Sequence, residues 1–365
     1  MSLLTEGKKL SETYTVERFL GEGAFAEVYR VQHRFLGRQA MKVFKTKGMA
    51  LKEIEEMLGE AVLLSRMGHP NIIRVFDANI LEISGATFGY FTMEYIPGGT
   101  LDRYWRSYEN KLMPVEEAIN ILKQVCSGLA AAHGESPPVI HRDIKPQNIL
   151  IGYDSGGMRV RVSDFGLAKR VNPMTLLASA KGTLGFKPPE SLDNLDSCAA
   201  DAWALGTTLY LLLTDKLPYP GLDERSTSNA TRFMQPFRPA SLYNIQVDSA
   251  LDAIVSRCLA TEQNDRYTDA RELLQDLGTW KPVQLDRTPA PNTIRENSSK
   301  TIFGEHSPVD KIAAAAAVKK AIKLSKEPGK LPSAADLLEE AINKDHDLRQ
   351  KYGSQLKLWR RGISM

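Results

Sequence analysis

Four side chains near the middle of the chain carry the means for chemistry. Asp143, Lys145 and Asn148 stand in the run His141-Arg142-Asp143-Ile144-Lys145-Pro146-Gln147-Asn148, and Asp164 opens Asp164-Phe165-Gly166 shortly afterwards. A carboxylate can take the proton of a hydroxyl, while an amide and a second carboxylate can hold a divalent cation through oxygen. A lysine among them can neutralise charge that builds on a transferred group. Phosphoryl transfer needs this set, because its catalysis rests on positioning and on stabilising charge at phosphate oxygens. Asp143 suits the base, Lys145 the charge stabiliser, and Asn148 with Asp164 the cation. The bland alternative is an Asp and an Asn used only for turns. The full run followed by Asp-Phe-Gly at this distance makes that alternative the weaker one.

The same run closely resembles the catalytic loop and metal-binding motif of eukaryotic-type (Hanks-type) serine/threonine protein kinases, of the kind found in bacteria. The resemblance covers about Tyr14 to Trp280, with the motifs in the family's order. It implies an α+β fold in two lobes, a small β-rich N-lobe and a larger helical C-lobe. ATP and Mg2+ are implied between them, with a protein Ser or Thr hydroxyl as acceptor.

The elements that must position the nucleotide lie upstream. Tyr14 to Leu20 and Ala26 to Val31 alternate as strands do, on either side of Gly21-Glu22-Gly23-Ala24-Phe25. Glycine lets backbone N–H groups approach phosphate oxygens closely. In the family this is the glycine-rich loop, and here Ala26 stands at its third glycine. Leu20 and Val28 are placed to cover the adenine ring. Ala40-Met41-Lys42-Val43-Phe44 resembles the strand that offers a lysine to the α- and β-phosphates. Lys42 stands among apolar residues, where a charge needs a partner. Glu60, in a helical pattern from Leu51 to Met67, matches the family's helix glutamate that pairs with this lysine. Ile72 to Asp77 and Phe88 to Met93 read as further strands, and Gly89 to Leu101 resembles the hinge. There Met93 lines the back of the pocket and the Glu94 and Ile96 backbone faces the adenine edge, while Leu150 forms the floor.

Asp164 to Glu190 resembles an activation segment. It closes in Gly182-Thr183-Leu184-Gly185-Phe186-Lys187-Pro188-Pro189-Glu190, with Pro188 where the family usually has alanine. Thr183 is implied beside Asp143 and Lys145. Arg142 can pair with a phosphate on the segment, for which Thr175, Ser179 and Thr183 are candidate acceptors. Asp201 is implied to steady the catalytic loop, and Arg266 to pair with Glu190; both are structural positions. Pro114 to His133 reads as a long helix with one apolar stripe that includes Cys126.

Composition agrees with an ordinary globular protein. The net charge of +3 gives no argument for nucleic acid. Three widely spaced cysteines, Cys126, Cys198 and Cys258, form no paired framework and point to a reducing, cytoplasmic setting. No apolar run approaches the roughly 20 residues of a membrane span. Ala202 to Leu213 reads as a buried helix, and Ile312 to Val318 as an exposed alanine-rich one.

Four segments follow: a polar lead-in at 1–13, the kinase-like region at 14–280, a flexible linker at 281–307 and a helical tail at 308–365. The linker is poor in apolar residues and rich in Pro, Asn, Ser and Thr. Ser307-Pro308 and Ser333-Ala334-Ala335-Asp336 carry helix-start signals. Leu337, Leu338, Ala341, Ile342, Leu348, Tyr352, Leu356 and Trp359 form a stripe that docks on the kinase, awaits a partner or closes into a self-contained helical cap. Lys357 to Arg361 add an aromatic and basic patch suited to an acidic surface. Two rivals remain. A dead scaffold is disfavoured because Lys42, Asp143, Asn148 and Asp164 are all present. A small-molecule kinase is disfavoured by the peptide platform from Gly182 to Glu190.

Overall fold

The computed structural model describes residues 2–23, 26–45, 58–59, 66–108, 112–154, 156–165, 184–193, 197–219, 233–234, 237–282, 308–327, 330–344 and 347–360. The N-terminal part is a five-stranded antiparallel sheet of β1 (Tyr14–Glu22), β2 (Ala26–His33), β3 (Gly37–Phe44), β4 (Val75–Ile83) and β5 (Ala86–Glu94), ordered β1-β2-β3-β5-β4. Alternation along each strand sends side chains to opposite faces. Tyr29, Val31, Met41, Val43, Phe88 and Tyr90 form an outer apolar face, and Ala26, Ala40, Phe91 and Met93 join the main core. The lead-in is not merely polar. Leu4 is buried on the outer face, and the Leu3 and Leu4 N–H groups donate to Glu27 at 2.8 Å and to the Tyr29 hydroxyl at 3.0 Å.

One strand differs from its expected place. The sequence suggests Ile72 to Asp77, but β4 begins at Val75 and runs to Ile83. Ile72 and Ile73 instead join the hairpin of β6 (Ile149–Asp154) and β7 (Gly157–Val162), where Ile73 N–H donates to the Val162 carbonyl at 2.9 Å. β4 is an edge strand whose middle is half-exposed or exposed, so it lacks a clean apolar alternation.

The larger part is helical. It contains α1 (Leu101–Arg106), α2 (Val115–His133), α3 (Cys198–Thr214), α4 (Ser249–Cys258) and α5 (Ala270–Thr279). The α2 stripe is buried as expected, Cys126 included. α3 is buried on nearly all sides. A β-carbon at Gly206 would overlap Cys258, so glycine there lets α3 and α4 close on each other.

The C-terminal tail forms α6 (Pro308–Leu324), α7 (Leu331–Lys344) and α8 (Asp347–Arg360) around a small core of its own. Two expectations change here. The alanine-rich helix is not simply exposed, because Ala314, Val318 and Ala321 are buried. Trp359 belongs to the tail's core and not to an outward patch. The apolar stripe of α7 is covered by α6 and α8, and the tail also touches the rest of the chain through α7 and β2. No helix among the described residues is long and apolar enough to cross a membrane.

Candidate active site

The β6–β7 hairpin sets the site's geometry. Ile149 pairs with Val162, so Asn148 and Ser163 flank its open end. The Ser163 N–H and hydroxyl both donate to the Asn148 carbonyl, at 2.9 and 3.0 Å. This brings Asn148 beside the start of Asp164-Phe165. Asp164 and Arg142 both adopt left-handed backbone, with φ of 63° and 68°. Residues other than glycine hold that conformation only when the surroundings impose it.

Here the surroundings are on view. The buried Asp201 carboxylate accepts from the His141 N–H at 2.7 Å and the Arg142 N–H at 2.8 Å. Lys187 Nζ donates to the Arg142 carbonyl at 2.5 Å. His141 Nδ1 accepts from the Asp143 N–H at 3.2 Å, so Nε2 carries the proton and donates to the Ser163 carbonyl at 2.9 Å. Burial holds the His141 pKa below its ordinary value, which favours this neutral ring. The ring also packs on Phe165, with centroids 4.5 Å apart.

His133 Nε2 meets Asp201 at 2.9 Å. Burial works against a second proton on that ring, but Asp201 and Cys198 together prevail and push the pKa up to about 9. The Ala270 N–H points at His133 Nδ1 at 3.2 Å, however, and a protonated ring would set two donors against each other. The hydrogen bonds therefore describe a neutral ring that donates to Asp201.

On this frame the reactive side chains meet. Lys145 Nζ lies 2.8 Å from Asp143 Oδ2, and Asn148 Nδ2 donates to the same oxygen at 2.9 Å. With its amide nitrogen engaged, Asn148 has its side-chain oxygen as the atom suited to a cation. Lys42 Nζ lies 2.6 Å from Asp164 Oδ1. Burial alone would raise the Asp164 pKa, but the Lys42 charge and hydrogen bond, helped by the nearby Lys145, together outweigh it and hold the carboxyl ionised, below the usual carboxylate range. An ionised carboxylate and an amide oxygen are ligands of the type Mg2+ takes.

Several residues that the family resemblance assigns to the nucleotide pocket lie together. Val28 pairs with Lys42 across β2 and β3, and Ala40 pairs with Met93 across β3 and β5. Ala40 and Met93 are buried, with Leu20, Val28, Ile96 and Leu150 half-buried against the same apolar cluster. Flat apolar walls beside a lysine suit an adenine ring and a charged phosphate chain. A β-carbon would meet nothing within 4 Å at Gly21, and at Gly23 only the Ala26 carbonyl at 4.0 Å, so this backbone is open to phosphate. Ala26, at the third glycine position, is buried in the core. The Glu22 carboxylate pairs with Lys45 at 2.9 Å. The Glu94 carboxylate accepts from the Arg74 N–H at 3.0 Å and pairs with Arg161 at 2.8 Å, which fixes the hinge from behind.

Several candidates lie outside the described residues: Ala24, Phe25, Glu60, Thr175, Ser179 and Thr183. Among the described residues the partner of Lys42 is Asp164. The Arg266–Glu190 pair forms as expected. The roles of Ser163, Lys187 and the His141 ring were not legible, because each acts through backbone geometry that the residue type does not announce.

The comparisons with known proteins agree with this geometry. Residues 14–277 match the family described as the protein kinase domain. The probable serine/threonine-protein kinase PknB of Lactococcus lactis is 30% identical over 291 residues, covering 77% of this chain and 44% of that protein. Serine/threonine-protein kinase PrkC of Bacillus subtilis is 32% identical over 279 residues, covering 75% and 41%. The chain thus spans less than half the length of these relatives. The crystal structure of the Mycobacterium tuberculosis PknI kinase domain superposes with a TM-score of 0.56 at 28% identity, covering 75% of this chain and 98% of that one. With the family matched over most of its length and the loop, hairpin and sheet arranged as that family requires, this chain belongs to the protein kinases of the eukaryotic type.

Proposed function

We propose that the chain is a serine/threonine protein kinase that transfers the γ-phosphate of ATP to Ser or Thr hydroxyls of protein substrates. The observation that carries this reading is the Asp143–Lys145–Asn148 cluster, joined through the hairpin to the Lys42–Asp164 pair. Asp143 orients the acceptor hydroxyl and takes its proton, while Lys145 offsets charge on the transferred group. Lys42 turns from Asp164 to the α- and β-phosphates when nucleotide enters, with Glu60 as its second partner. Asn148 and Asp164 hold Mg2+, which when bound offsets charge on the phosphate oxygens. Leu20, Val28, Ala40, Met93 and Leu150 enclose the adenine, and the Glu94 and Ile96 backbone meets its edge.

Residues 14–280 are the catalytic part in this reading, 281–307 a linker and 308–365 a tail. The free cysteines Cys126, Cys198 and Cys258 support a reducing, cytoplasmic setting. The test is transfer from labelled ATP to a generic protein substrate, with and without chelation of Mg2+. Label on Ser or Thr that vanishes on chelation is expected; no transfer under any condition would leave the dead-scaffold reading standing.

A further inference from the structure

One cross-strand row of the N-terminal sheet runs Arg18–Arg30–Ala40–Met93, each residue paired with the next. By strand alternation Arg30 shares its face with Val28, so the row begins in two arginines and ends in two residues of the adenine pocket. Both arginines meet one carboxylate of the tail. Glu340, in α7, forms an ion pair with Arg30 and lies 3.3 Å from Arg18. The hinge joins the same cluster, where the Tyr95 hydroxyl donates to Glu340 at 2.9 Å and the Arg30 guanidinium lies 5.6 Å over the Tyr95 ring.

This is not a surface contact. Glu340 is 7% exposed, and a carboxylate that deep must be matched by charge and hydrogen bonds. Glu340 also acts on its partner: burial works to lower the Arg30 pKa, and the Glu340 charge, together with Tyr95 and Glu17, more than reverses that. Further along the hinge, a β-carbon at Gly98 would overlap the Ile151 carbonyl and come within 2.7 Å of a Glu339 carboxylate oxygen. α8 packs against β6, the strand that carries Leu150. The tail therefore touches the sheet, the hinge and the floor strand, three elements whose relative placement defines the adenine slot.

We infer that Glu340 is a positioning residue for the nucleotide site: through Arg30 and Tyr95 the docked tail holds β2 and the hinge at the separation that accepts adenine, and so sets nucleotide affinity. The inference rests on the kinase reading and adds a cis-acting control to it. Opening the slot for exchange must move the hinge against β2, and Glu340 is bonded to both. Releasing the tail frees that motion and speeds nucleotide loss.

The experiment measures MgADP affinity by calorimetry on the full chain, together with KM for ATP and kcat. Glu340→Gln is expected to weaken MgADP and raise KM for ATP about five-fold or more, with kcat at saturating ATP nearly unchanged. Glu340→Asp should restore part of the loss. Tyr95→Phe removes one hydroxyl, guards against a misfolded Glu340 variant, and should weaken MgADP in the same direction without adding to Glu340→Gln. Folded variants with unaltered MgADP affinity, or a fall in kcat at constant KM, would overturn the inference. A wild-type chain that binds no MgADP would remove the kinase reading and this control with it.

Discussion

Arg266 and Glu190 form a two-pronged ion pair, Nη1 to Oε1 at 2.5 Å and Nη2 to Oε2 at 2.9 Å, with the arginine side chain wholly buried. The guanidinium also donates to the Ala260 and Thr261 carbonyls at 2.6 and 2.8 Å and lies 4.8 Å over the Trp203 ring. It therefore ties the end of the activation segment to the helical lobe. Arg266→Ala should destabilise the chain by about 3–5 kcal/mol, because Glu190 is left without its counter-charge. Arg266→Lys should recover little, since an ammonium cannot reproduce the fork. Urea unfolding of the two variants checks this, and a wild-type midpoint for either would refute it.

Asp143→Asn should leave the fold and MgADP binding intact while reducing transfer by roughly 10²–10⁴-fold, the usual reach of a general base. Lys145 and Asn148 both lean on the Asp143 carboxylate, so a single amide change disturbs the reacting centre and little else. Near-normal turnover in the folded variant would exclude Asp143 as the base.

Lys42→Met should cut activity strongly. Glu60→Ala should do the same, and the pair should not be additive if both serve one lysine. Lys42 binds Asp164 at 2.6 Å, so part of its effect should pass through the metal-side carboxylate as well. A silent Glu60→Ala would assign the lysine to Asp164 alone.

Acid stability should depend on Asp201. Burial raises the pKa of this carboxyl, but the hydrogen bonds it accepts from the His133 ring and the His141 N–H outweigh that, leaving it below the ordinary value. A depressed folded pKa adds stability above the unfolded value of about 3.9 and loses it as pH falls through the folded value. Wild type should therefore lose stability from about pH 4 downward. Asp201→Asn should start less stable at neutral pH and lack that component of the acid limb. Tryptophan fluorescence during acid titration measures it, and identical acid limbs would contradict the assignment.

Autophosphorylation is expected between Asp164 and Glu190, at Thr175, Ser179 or Thr183. Arg142 holds left-handed backbone beside the base, where a phosphorylated segment could pair with its guanidinium. Mass spectrometry before and after ATP locates the sites. A fully active enzyme with no phosphate in that span would remove the switch and leave the chemistry standing.

The catalytic run, the strand lysine and the Arg266–Glu190 pair were legible because each depends on residue types in a fixed order. The tail's docking was not. Glu340 flanks an apolar stripe, where a carboxylate reads as one more solvated group, and Arg30 stands more than three hundred residues earlier. The burial of Ala314 and Ala321 escaped notice for a related reason: alanine is at home on either face of a helix, so only packing decides. The edge strand β4 was misplaced because solvent along its middle blurs the period that marks buried strands.

The first few residues carry a practical warning. Leu4 covers part of the outer face formed by Tyr29, Val31, Met41 and Phe88, and the Leu3 N–H answers the buried Glu27 carboxylate. A fragment trimmed to begin at Tyr14, where the family match begins, would bare that apolar face and strip Glu27 of a donor. Such a fragment would retain every reactive group yet tend to adhere to its own copies in solution, and its poor behaviour would be blamed on the catalytic lobe when the fault lay in a missing leucine.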